Sequence, residues 1–203
     1  MILNYLELSG LIIILTFPLA YFIGRTKIRI WFLKRFSLDF VGIILGWAVV
    51  FFVDFLLEYL TGVSFLSLLR SGSSIPVVVF IAGVVLGIAW EYLGQVVLKV
   101  WGYPLVERFK IFLIALPFAW GLFMFLLQDT YAILRYFHIS RIFSFMLTVL
   151  LVGILLEGFN LISGSWQYRK WLRKPIPLVS IWLFGVATFI YGFNLVFFSP
   201  FGF

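Results

Sequence analysis

The sequence predicts an all-α integral membrane protein whose six transmembrane helices pair as three hairpins. Two observations predict it. Of 203 residues, 64% are hydrophobic and only 11% charged, more apolar surface than a water-soluble domain can hide. The Lys and Arg residues gather in alternate connections between apolar runs of about 20 residues, the length that crosses a bilayer as a helix.

The apolar runs place spans near 2–24, 38–60, 75–98, 111–128, 142–162 and 177–198. The first has no basic leading segment and no small-residue cleavage site, so it reads as a span and not as a signal peptide. The connection after it holds Arg25, Lys27, Arg29, Lys34 and Arg35. The third connection holds Lys99, Arg108 and Lys110, and the fifth holds Arg169, Lys170, Arg173 and Lys174. Only Arg70, Arg135 and Arg141 fall on the other side. This asymmetry puts the basic loops in the cytoplasm and both termini outside a multi-pass cell membrane protein. Pro18, Pro117 and Pro177 stand in or at the start of spans, where neighbouring helices must satisfy the freed carbonyl. No linker or low-complexity segment interrupts the chain, so residues 1–203 read as a single membrane domain.

Composition also excludes function classes. With no cysteine there is no disulfide framework, thiolate metal site or Cys nucleophile, and His138 alone cannot build a His-based metal cluster. No phosphate-binding loop or Ser/His/Asp set is present, so neither a metal nor another cofactor is expected. The net charge of +7 sits in short loops and reports topology; no nucleic-acid partner is expected.

Two stretches echo each other, and each places a carboxylate inside a span. Gly87-Ile-Ala-Trp90-Glu91-Tyr-Leu-Gly94 is followed by Trp101-Gly-Tyr103, and Gly153-Ile-Leu-Leu-Glu157-Gly-Phe-Asn160 by Trp166-Gln-Tyr168. In both, a Gly precedes the Glu by four residues and a Trp-x-Tyr follows it nine or ten residues on. Both stretches run from outside to inside, so spans 3–4 and 5–6 read as a parallel tandem repeat. At a rise of 1.5 Å per residue, Glu91 and Glu157 lie roughly 6–8 Å to the cytoplasmic side of their midpoints. An ionisable group at such depth costs about 2–3 kcal/mol or more and needs a partner or a purpose.

Two carboxylates in one cavity repel and lose solvent, which leaves one protonated acid beside one ionised base. Asn160, one turn beyond Glu157, is placed to orient that carboxylate, whereas Glu91 has Gly94 at the matching position. Glu91 is therefore expected as the acid and Glu157 as the base. Trp90, Gln95, Trp101, Tyr103, Asn160, Trp166 and Tyr168 complete the candidate substrate-binding set. Against this stands the plainer possibility that each Glu pairs with a snorkelling Lys99, Arg169 or Lys170, and that the aromatics are an ordinary interfacial belt. Asp54 and Glu58 form a secondary acidic pair on one face of span two, within reach of Arg70, Arg135 or Arg141 as a structural ion pair. Gly42-x-x-x-Gly46 and Gly83-x-x-x-Gly87 read as helix-contact motifs.

The segment Glu91-x-x-Gly94, Trp101-Gly-Tyr103-Pro104 and Ala115-Leu-Pro117-Phe-Ala-Trp120-x-x-x-Met124 resembles membrane carotenoid-biosynthesis proteins of the carotenoid-hydratase-like kind. Glu157-x-x-Asn160 with Trp166-x-Tyr168 resembles the small lycopene-cyclase-like membrane family. The chain departs from the cyclases in lacking their adjacent pair of carboxylates. The resemblance implies an isoprenoid or carotenoid substrate, protonated at a double bond by a carboxylic acid while aromatic rings stabilise the carbocation. The expected function is accordingly a cofactor-independent, hydratase- or cyclase-type membrane enzyme. The alternatives are a carrier or substrate-capturing subunit, whose acids bind a cation, and a non-catalytic scaffold in a pigment complex; both would work beside partner subunits.

Overall fold

A chain that leaves water must bond its own backbone N–H and C=O groups, and the apolar runs do so as helices. A computed structural model describes residues 2–25, 31–103, 115–163, 166–168 and 185. Its elements are α1 (Ile2–Arg25), α2 (Trp31–Thr61), α3 (Phe65–Arg70) and α4 (Ile75–Glu91). A π-helical stretch (Tyr92–Val97), β1 (Trp101–Gly102), α5 (Ala115–Tyr136), α6 (Arg141–Ser163) and β2 (Gln167–Tyr168) follow.

Among the described residues, four helical stretches are long and apolar enough to cross a membrane: Tyr5–Ile23, Phe40–Thr61, Ile75–Val97 and Arg141–Leu161. At 22 residues α5 has the length as well, although Gln128 and Asp129 interrupt its apolar run. Polarity is distributed inside out. Asp54, Glu91, Gln128 and Asp129 are buried, while Ile14, Phe22, Ile142 and Leu161 face outward. Lipid as the solvent accounts for such a surface; water does not.

α1 packs along α2 and α4 along α5, the α2–α5 contact joins the two pairs, and α6 lies against α5, α1 and α2. Leu45, Val49, Phe65, Met124, Leu127 and Val152 fill the shared core. Polar residues buried within helices close on their own backbone: Ser9 donates to the Tyr5 carbonyl (2.8 Å) and Thr16 to that of Ile12 (2.9 Å).

The expected fourth span at 111–128 starts in residues 111–114, outside the described residues, and its helix runs on to Tyr136. The polar Gln128-Asp129 pair does not end it because both side chains turn into the bundle, 2% and 0% exposed. The span expected at 177–198 lies outside the described residues except Gly185, which sits beside the Trp90 ring.

The short helix α3 was not expected from the sequence, and Asp54 explains why it forms. Its carboxylate accepts hydrogen bonds from Ser64 Oγ (2.8 Å) and from the backbone N–H groups of Phe65 (2.9 Å) and Leu66 (3.2 Å). Ser64 and Ser67 add a reciprocal capping box. Buried Phe65 then stacks on Phe125, ring centroids 4.5 Å apart, which fastens α3 to α5. Glu58, one turn beyond Asp54, pairs with Arg70 at the other end of α3. The two acids of span two thus brace one short helix at both ends.

These unequal surroundings set unequal costs. Asp54→Ala strands three donors, two of them buried, and should lower stability by about 2–5 kcal/mol. Glu58→Gln disturbs a pair whose Arg70 side chain is half exposed, and should cost about 0–1 kcal/mol. Melting curves of both variants in one detergent check this; equal losses would contradict the capping role.

Candidate functional site

Glu91 ends α4, and the chain beyond it is bent to serve its carboxylate. The helix widens over Tyr92–Val97, so that Leu98 N–H bonds to Leu93 O (2.8 Å) and Val100 N–H to Gly94 O (2.7 Å). Lys99 then takes a left-handed conformation (φ 53°) that turns the chain back toward the helix it has just left. This reversal lays the Trp101 indole over Gly94. A Cβ at Gly94 would stand 1.9 Å from that ring, so a glycine is required there. One turn before Glu91, Gly87 makes the same allowance for Trp120 of α5, where a Cβ would meet the ring at 2.1 Å.

The two grooves bring both indole N–H groups to the carboxylate. Trp120 Nε1 donates to Glu91 Oε1 (2.9 Å) and Trp101 Nε1 to Oε2 (2.9 Å). Tyr103 OH donates to Oε1 (2.8 Å) and Gln95 Nε2 to Oε2 (2.7 Å). Each oxygen therefore accepts two hydrogen bonds, all four from uncharged groups. A carboxylate has about four acceptor positions, and here every one is occupied. Lys99, weighed from the sequence as an ionic partner, is exposed and is not among the donors.

Glu157 is served by the second Trp-x-Tyr segment. It accepts a hydrogen bond from Tyr168 OH, whose oxygen in turn accepts one from Trp166 Nε1 (3.1 Å). Asn160 does not turn to Glu157; its Oδ1 accepts the Trp166 backbone N–H (2.9 Å) and so holds the turn from which Trp166 and Tyr168 project. Glu157 is half-buried, against 8% exposure for Glu91.

The two Trp-x-Tyr segments meet. β1 pairs antiparallel with β2, with Trp101 opposite Tyr168 and Gly102 opposite Gln167. The Tyr103 and Trp166 rings lie 6.5 Å apart, and Trp90 packs on Trp101 at 5.7 Å. Glu91, Glu157 and every aromatic in the candidate set therefore gather at one end of the bundle. Asp54 and Glu58 lie at the other end, by α3 and the start of α4. Trp120 was not singled out as a site residue: it lies 29 residues from Glu91, and only the packing of α4 on α5 joins them. Gly87 was the available signal, since a glycine facing a neighbouring helix makes room for a large ring.

The neutral phenols are secured by their surroundings. Burial, then the nearby Glu91 charge, pushes the Tyr103 hydroxyl well above the usual tyrosine range. Burial, then the hydrogen bond to Glu157, raises Tyr168 in the same direction. Comparison with protein-family models, curated proteins and solved structures gives no match.

A phenol whose folded-state value is raised contributes its full stabilisation below the unfolded value of 10.0 and loses it only as pH passes the raised one. The site should therefore hold its two tyrosine–carboxylate bonds throughout the neutral and moderately alkaline range. Absorbance titration in detergent should show two tyrosines that ionise late, and Tyr103→Phe and Tyr168→Phe should each remove one. Ionisation of either near pH 10 would contradict the assignment.

Proposed function

We propose that the chain is a membrane-embedded enzyme that acts on an isoprenoid or carotenoid-type lipid by carboxylate acid–base chemistry at the Glu91–Glu157 centre. The observation that carries this reading is a buried carboxylate held by four uncharged donors, three of them aromatic, with no cation bonded to it among the described residues. An anion among π faces lowers the energy of a positive charge that develops on a hydrocarbon chain beside it. The sequence resemblance to carotenoid-biosynthesis proteins favours the same substrate class. In this reading six spans form the bundle, spans 3–4 and 5–6 descend from a tandem repeat, and the basic loops put the site in the cytoplasmic leaflet of the cell membrane.

The geometry favours a different division of labour from that expected of the sequence. Glu91 meets four donors and has no acceptor toward which an acidic O–H could turn, so it serves as the fixed anion. Glu157, half-buried and bonded to Tyr168, is the group placed to pass a proton to the substrate. Its proton adds to one carbon of a double bond, the π electrons form the C–H bond, and the cation arises on the neighbouring carbon opposite Glu91. Water or a second double bond then supplies the electron pair, and the proton released returns to the Glu157 carboxylate. Trp90, Trp101, Tyr103 and Trp166 form the wall along which the chain lies.

A carrier or substrate-capturing subunit is the second reading, because an anion held by neutral donors would also hold an organic cation. Expression in a bacterial host that makes an acyclic carotenoid separates the two. The enzyme reading expects a hydrated or cyclised pigment with the wild type and at least a hundredfold less with Glu157→Gln. Glu91→Gln should lose both product and copurifying pigment, because the amide cannot accept from all four donors. Unchanged pigment in cells that contain folded wild-type protein would refute the enzyme reading on this substrate.

A further inference from the structure

The bundle has a second acidic centre, at the end away from Glu91, that the proposed chemistry does not use. Asp129 of α5 is fully buried one turn beyond Phe125, whose ring packs on Phe65; the Phe65 N–H bonds to Asp54 of α2, which brings the two acids to the same level of the α2–α5 contact. The two residues are differently served. Asp54 takes the Ser64 hydroxyl and the first N–H groups of α3. Neither oxygen of Asp129 meets a donor, and Nε2 of the adjacent Gln128 meets no acceptor.

We propose that Asp54 and Asp129 bind one proton between them, forming a carboxyl–carboxylate proton site between α2 and α5. The argument is one of charge and satisfaction. Two ionised carboxylates face to face in an apolar bundle repel each other with no solvent to screen them. A proton on Asp129 removes one charge and supplies the missing donor, with Asp54 as the natural acceptor because the α3 donors hold it as an anion.

The charged groups on the surrounding elements leave the pair to itself. Glu58 is taken by Arg70 of α3, and Arg135 of α5, a turn and a half beyond Asp129, donates from Nη1 to the Ile139 carbonyl while its buried Nε meets no acceptor. On α6, Arg141 is exposed; on α1, Glu7 is exposed; the titratable residue of α4, Glu91, lies at the far end. The nearest hydroxyls of α6, Ser144 and Thr148, bond to backbone carbonyls. Among the described residues no third acid or histidine joins the pair to make a metal-ligating set. A proton is therefore the ligand this site fits, and its presence is what lets α2 and α5 close on each other. Loss of the proton at high pH leaves two like charges between the helices.

Infrared spectroscopy of the whole protein in lipid nanodiscs, with carboxyl-¹³C aspartate, tests this. The chain has only three aspartates, Asp39, Asp54 and Asp129, so the isotope shift identifies the group. At neutral pH the wild type should show the carbonyl stretch of a protonated aspartic acid, moved to lower frequency by the label. The band should persist in Asp39→Asn and vanish in Asp129→Asn, whose amide can donate to Asp54 in place of the proton. The melting temperature of the wild type should fall as pH rises to the point where the band disappears, while that of Asp129→Asn stays flat. If Asp129→Asn does not fold, the wild-type band and its loss in step with melting decide the matter. Absence of a labelled band at neutral pH overturns the proposal. So does a band that survives Asp129→Asn, or one that appears only after sodium is withdrawn, which would show a metal cation in the proton's place.

Discussion

A carboxylate placed in an apolar bundle must be surrounded by donors, and that requirement organises the Glu91 end of this molecule. The four hydrogen bonds fix three pieces of chain. Gln95 holds the widened turn, Trp101 and Tyr103 draw the returning strand onto the helix, and Trp120 fastens α5 to α4. Hydrogen bonds to a charged group contribute about 1.5–3 kcal/mol each, more than those between neutral groups. Removing the anion would leave its donors unsatisfied and take away the reason for the chain to turn back. The glycines at 87 and 94, the left-handed Lys99 and the pairing of β1 with β2 all follow from bringing those donors to one point.

The other end solves the same problem with different means. Asp54 is satisfied mainly by backbone N–H groups of a short helix, so its surroundings are small, regular and filled. Glu91 is satisfied by side chains, and by large flat ones. The consequence for chemistry is direct. A carboxylate capped by backbone presents no surface to a lipid chain, whereas one set among indoles and a phenol presents an anionic, aromatic wall. That contrast is why the proposed lipid chemistry belongs at Glu91 and Glu157 and not at Asp54.

What was legible in the sequence was whatever repeats within a single run of chain. Apolar length located α1, α2, α4 and α6, and the interval from each Glu to its Trp-x-Tyr marked the residues that do gather around the two acids. The four-residue spacing put Asp54 and Glu58 on one face, and both do serve α3. Contacts between distant runs were not legible. Trp120 reaches Glu91 from another helix, and Asp129 meets Asp54 across the α2–α5 interface. Asn160 was matched to Glu157 by helix spacing, yet its amide oxygen is taken by the Trp166 N–H that the reversing chain presents. The bend itself was hidden because Leu93-Gly94-Gln95-Val96 reads as ordinary helix; only the pull of Trp101 toward Glu91 explains the wider turn.

The account rests on the bonds from two indoles to one carboxylate, and those can be observed directly. In nanodiscs, ¹⁵N-tryptophan labelling gives one indole N–H signal for each of the eight tryptophans, assigned by Trp→Phe substitution. The Trp101 and Trp120 signals should lie downfield, exchange slowly with deuterium, and both move in Glu91→Gln while the Trp47 signal stays in place. Indole signals of Trp101 and Trp120 that exchange freely with deuterium, or that are indifferent to Glu91→Gln, would contradict the account.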